Sequence, residues 1–154
     1  MAKRKSIHIE GMEHGAPIPN GTVIGSMVFS SAISGKDAKT GVLSSDPDEQ
    51  AEAMFRNLRL FMEKAGGTPD NIAHMTVFLK EEKLRDSVNK AWLKMFPDEH
   101  DRPARHALKA DLRGPIPVSD RGDCGPLKFC WFQSNGKVKV SYEHRSYRFS
   151  GFGP

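Results

Sequence analysis

The chain lacks several features that would assign it to a broad class. Its 154 residues contain no apolar run near the length of a membrane span. Met1-Ala2-Lys3-Arg4-Lys5 is basic, but no apolar stretch follows it. It does not read as a secretory leader, so a cytoplasmic protein with no membrane partner is expected. There are only two cysteines, Cys124 and Cys130. Two are too few for a disulfide framework, and they have no neighbours spaced to complete a metal site, so reduced thiols are expected. Asp98, Glu99, His100 and Asp101 gather possible ligands locally. Their spacing matches neither a zinc site nor a carboxylate cage, and they read as a solvated turn; no metal is expected. The chain also lacks the interleaved aromatic and basic residues of the common RNA-binding modules, so a nucleic-acid partner is not expected.

What is present is one domain's worth of ordinary sequence, 38% hydrophobic and 27% charged. The net charge of +4 lies entirely in the last 42 residues, where 7 Lys/Arg outnumber 3 Asp/Glu and leave 16 of each sign before them. Both tyrosines and both cysteines also fall there. The boundary is therefore drawn at 112, with a body of 1–112 and an atypical tail of 113–154.

Alternation and helical spacing order the body. Ser6–Glu10 reads as a first strand, Gly11–Gly21 as a Gly/Pro loop, and Thr22–Ser31 as a second strand broken at Gly25. Ala32–Asp46 reads as a long loop. Asp46 as cap, Pro47 in the first turn and Asp48 with Glu49 at the positive end announce a helix. Ala51, Met54, Leu58, Phe61 and Ala65 give it an apolar face, and Gly66-Gly67 ends it. A third strand over 71–80, a second helix over 81–96 and a fourth strand over 104–112 complete an α+β order, two helices on one face of a mixed sheet. The uncovered face calls for self-association.

Arg105 stands where the fourth strand begins, in Arg102-Pro103-Ala104-Arg105-His106. Pro103 fixes φ and biases Arg102 toward extension. A guanidinium presents a planar fork of donors suited to a carboxylate. By itself such a residue is more often a solvated strand arginine. His106 is the next residue along the strand, so it should point to the opposite face.

An ordered series of short matches changes that balance. It comprises Lys5-Ser6-Ile7, Gly25 to Ser31, Lys39-Thr40-Gly41, Gln50 with Asn57-Leu58, and Ala65-Gly66-Gly67. It continues with Thr76 to Lys80, Val88-Asn89, Met95-Phe96 and Pro103-Ala104-Arg105. In this order and spacing the chain resembles the YjgF/RidA family of small trimeric enamine/imine deaminases, also known as endoribonuclease L-PSP-like proteins. The resemblance implies a chorismate-mutase-like fold, a homotrimer with a central barrel, and clefts between subunits. It implies that Arg105 binds the carboxylate of a small substrate, with Ser31, Asn89 and Phe78 at the ligand. No cofactor is required, because water attack on a C=N carbon needs only positioned groups. Retained carboxylate binding without turnover is a second reading, and RNA binding or cleavage a third.

The chain departs from the family pattern in three places. Ala32, beside Ser31, stands where the family usually has glycine. Ile18 falls where well-known members carry a site tyrosine, and the glutamate of the family's closing strand has no clear counterpart. His14, in the Gly/Pro loop, and Glu143 are candidate acid–base groups, Glu143 only if 137–143 closes the sheet. The tail allows two readings. Leu127, Phe129 and Trp131, the turn pair Asn135-Gly136, and Val138, Val140 and Tyr142 read as a β-hairpin over 127–143. The abrupt change of composition also fits a segment foreign to the fold.

Overall fold

A computed structural model of the chain describes residues 3–110, Leu112 and the backbone of 127–130. The described residues form seven strands and two α-helices. The strands are β1 (Lys5–Ile7), β2 (Gly21–Ile24), β3 (Met27–Ser30), β4 (Ile33–Ser34), β5 (His74–Leu79), β6 (Ala104–Lys109) and β7 (Leu127–Cys130). The helices are α1 (Pro47–Ala65) and α2 (Arg85–Met95).

The cap residues set the bounds of α1. The Asp46 carboxylate accepts from the backbone N–H groups of Asp48 at 2.7 Å and Glu49 at 3.3 Å, taking up two donors the helix cannot satisfy itself. Gly66 ends it at φ 84°, a conformation that costs glycine little. Its N–H donates to Glu63 O at 3.0 Å, and that of Gly67 to Met62 O at 2.9 Å. The buried face carries Met54, Leu58, Phe61 and Met62, each side chain contributing about 1.5–3 kcal/mol relative to exposure.

Two sheets are present. β1-β2-β3 form an antiparallel sheet, and β4-β7-β5-β6 form a mixed one. The segment expected as one broken strand, 22–31, is a hairpin. Ile24 pairs with Met27, leaving Gly25-Ser26 as a two-residue loop. Such loops need positive φ at their first residue, and Gly25 supplies 60°. The loop expected over 32–46 contains β4. The second helix begins with a 3-10 turn at Glu82–Leu84 before α2 proper.

β5 carries the core pattern of the mixed sheet. Met75, Val77 and Leu79 are buried, while His74, Thr76 and Phe78 between them are half-buried. α1 and α2 pack together on the Met75 side and share one core with it. This is the expected two-helix layer on one face. β6 runs parallel to β5 in register Met75↔Arg105 and Thr76↔His106. The backbone of 127–130 lies antiparallel between β4 and β5, with Ile33↔Phe129 and Thr76↔Cys130. The rest of the hairpin expected over 127–143 lies outside the described residues, as does Glu143.

Buried amides tie the loops down. Asn57, on α1, donates through Nδ2 to Ser34 O at 2.9 Å and Lys36 O at 2.7 Å. Asn20 accepts from Ile9 N–H at 2.8 Å and donates to Met12 O at 2.5 Å. Both amides are nearly inaccessible to water, where an unpaired polar group would be costly.

Candidate functional site

Register decides which way Arg105 faces. Directly paired residues on adjacent strands share a face, and Met75 opposite Arg105 points into the helical layer. The Arg105 side chain therefore lies against α2. There Asn89 and Trp92, three residues apart on one helical face, receive it. Asn89 Oδ1 accepts from Arg105 Nη2 at 2.7 Å. The guanidinium carbon stands 4.6 Å from the centre of a Trp92 ring, a cation–π stack. Trp92 is itself fixed, edge-on to Phe55 at 6.4 Å and against Phe96 at 4.7 Å.

The electrostatics suit an anion. Burial, and then the like charge of Arg85, push the Arg105 pKa below its ordinary value. An arginine stays charged regardless, so this reflects a cation held in a site that an opposite charge would favour. Nη1 is enclosed and has no hydrogen-bond acceptor among the described residues. One arm of the fork is thus held by Asn89, and the other is an enclosed donor.

The structure brings Arg105 and Asn89 together and adds Trp92, which the sequence did not mark as a site residue. Asn89-x-x-Trp92 was the available signal, but nothing in one sequence pairs it with a strand residue. Ser31 serves a different network. Its hydroxyl donates to Pro19 O at 2.7 Å and its N–H to Asn20 O at 2.8 Å, fixing the loop to the end of β3. Phe78 is opposite Leu108 on the sheet face turned away from the helices, so one chain does not bring it to Arg105. His14 is half-buried in the loop between β1 and β2, and Ile18 of the same loop is exposed. Of the four residues of β7, Leu127, Lys128, Phe129 and Cys130, none is acidic. A groove of about 250 Å³ between α1 and α2 is rimmed by Arg56, Arg59 and Lys94 and does not include Arg105. Lys94 pairs with the Glu52 carboxylate there, so the rim reads as solvated surface.

Two packed helices over a mixed sheet, with an arginine clamped at the start of a parallel strand, define a YjgF/RidA-like α+β protein. A family model described as Endoribonuclease L-PSP matches residues 16–114, and the chain belongs to that family, the YjgF/RidA family. Among solved structures the chain is similar to a candidate translation initiation inhibitor from Vibrio vulnificus. The two are 26% identical with a TM-score of 0.69, over 85% of this chain and 99% of that one. It is similar to E. coli TdcF with bound serine, at 24% identity and a TM-score of 0.69, over 86% and 100%. RidA from an Antarctic Psychrobacter matches at 20% identity and a TM-score of 0.68, over 85% and 99%.

Proposed function

We propose that the chain is a cytoplasmic homotrimeric deaminase. It would hydrolyse small reactive enamine or 2-imino acids to 2-keto acids and ammonia without a cofactor. The observation that carries this reading is the Arg105 clamp. Asn89 holds Nη2 and Trp92 holds the guanidinium plane, leaving enclosed Nη1 to donate to a substrate carboxylate. In the reaction, water adds to the C=N carbon and the nitrogen takes up protons. The C–N bond then breaks, giving C=O and ammonia. Fixing the carboxylate orients that carbon for attack. A relative solved with serine, itself a small carboxylate, supports the same ligand class.

A second reading has a specific observation in its favour. Ile18 replaces the family's tyrosine and β7 offers no carboxylate, so the clamp would serve binding or regulation without turnover. Ammonia release from freshly generated 2-iminobutyrate decides between them, comparing the wild type with Arg105→Ala. Acceleration lost in the variant is the expected result. Background rates in both proteins would remove the deaminase reading.

A further inference from the structure

A second guanidinium stands on the side of α2 that clamps Arg105. Arg85, Asn89 and Trp92 fall at i, i+4 and i+7 of that helix, so they line one side of it. Asn89 and Trp92 are the residues that hold Arg105. Arg85 precedes Asn89 by one helical turn, about 5.4 Å along the axis. The helix begins just after β5 ends and returns to the start of β6, where Arg102 Nε donates to Phe96 O at 3.0 Å. It therefore runs opposite to both strands, and Arg85 lies toward the Ala107 side of Arg105. Ala107 is opposite Val77 and faces the same helical layer, about 6.6 Å farther along β6 than Arg105. Its side chain is a single methyl and adds no polar group between the two cations.

Arg85 is only loosely engaged. Its Nε and Nη2 both meet one oxygen of Glu82 at 2.6 Å, so the pair is not fork to fork. The Glu82 side chain is 66% exposed and that of Arg85 39%, and a pair this open to water contributes little. Arg85 is also felt at the site. After burial, its like charge is what lowers the Arg105 pKa.

We propose that Arg85 is a second carboxylate anchor and the specificity-determining residue of the site, selecting the 2-imino or enamine forms of short dicarboxylic acids. The inference rests on Arg105 holding the first carboxylate. A step of about 5–7 Å from one anchor to the next suits an extended five-carbon diacid. The second carboxylate takes the place of Glu82 on the Arg85 fork, and the like charge that burdens the empty site becomes an attraction when the diacid fills it. The competing account is a solvated arginine paired with Glu82 that meets no ligand.

Calorimetry of the full chain with 2-ketobutyrate, 2-ketoglutarate and the 5-methyl ester of 2-ketoglutarate separates the two. The ester keeps the chain of the diacid and removes its far charge. The wild type binds 2-ketoglutarate roughly tenfold tighter than the ester, the gain from one charged hydrogen bond in a half-exposed setting. Arg85→Gln abolishes that preference. Glu82→Gln, which frees Arg85 from its pair, raises it. A structural role for the pair would not move the ratio in opposite directions. Both side chains reach water, so neither variant opens the core. No preference in the wild type, or an unchanged preference in Arg85→Gln, overturns the second anchor.

Arg105→Ala keeps the two failures apart, because it weakens 2-ketobutyrate and 2-ketoglutarate alike when the first carboxylate sits on Arg105. If that loss is seen and Arg85→Gln has no effect, only the second anchor falls. If neither ligand is weakened, the Arg105 anchor falls, and the second falls with it because its spacing is counted from the first.

Discussion

Asn89→Asp is the sharpest probe of the arginine clamp because it changes charge and almost nothing else. The new carboxylate keeps the shape of the amide and stays 2.7 Å from Arg105 Nη2, converting a neutral acceptor into an ion-pair partner. A ligand carboxylate on the other arm of the fork would then sit about 6 Å from a like charge, at an effective dielectric of about 20 a repulsion of about 2.8 kcal/mol. Arg105 is only half-buried, and water screening of such sites argues for about half of that figure. The remaining ~1.4 kcal/mol corresponds to about a tenfold weaker Kd. Asn89→Ala removes the acceptor without adding charge and should cost less, near the ~1 kcal/mol net value of one hydrogen bond. The expected order of affinity for 2-ketobutyrate in calorimetry is therefore wild type, then Asn89→Ala, then Asn89→Asp. The amide of the same ligand, which carries no charge, should lose the extra penalty in Asn89→Asp. If Asn89→Asp binds the keto acid as tightly as the wild type, the carboxylate does not sit on Arg105. The site assignment would then fail whatever the outcome of the ammonia assay.

Two further perturbations test the frame that carries the clamp. Gly35→Ala builds a Cβ into the backbone carbonyl of Gln50, with the carbonyl carbon 3.0 Å and the Cα 3.2 Å away; neither can move aside as a side chain would. About 1–3 kcal/mol of destabilisation is expected in urea unfolding, and an unchanged midpoint would contradict this packing of β4 against α1. Asp46→Ala removes the carboxylate that caps α1 at Asp48 and Glu49. It should lower stability by about 1 kcal/mol, whereas Asp46→Asn, which keeps an acceptor, should restore most of it.

What could be read from the sequence was what depends on near neighbours. Asp46, Pro47, Asp48 and Glu49 act on one turn of backbone, and Gly66 on another, so both ends of α1 were legible before any fold was known. Gly25 was recognised as an interruption. Whether it broke a strand or reversed the chain depended on Ile24 meeting Met27, a pairing outside the reach of alternation. β4 is two residues long and owes its existence to β7, nearly a hundred residues later, so 32–46 carried no pattern to reveal it.

The site shows the same division more sharply. The chemistry of Arg105 was available from its type and from Pro103 before it, but its direction was not. β6 is exposed or half-buried at every position, so its own sequence contains no apolar face to orient it. Orientation comes from β5, whose alternation of Met75, Val77 and Leu79 fixes the helical side, and from the register that sets Arg105 beside Met75. Once that register is fixed, two consequences follow together. Arg105 must meet the Asn89–Trp92 face of α2, and His106, one residue on, must emerge on the opposite face beside His74. A one-residue slip of β6 would exchange them, placing the imidazole in the helical layer and the guanidinium on the open face. The arginine clamp and the His74–His106 ring contact are thus two products of a single strand alignment, made on opposite sides of the sheet by adjacent residues.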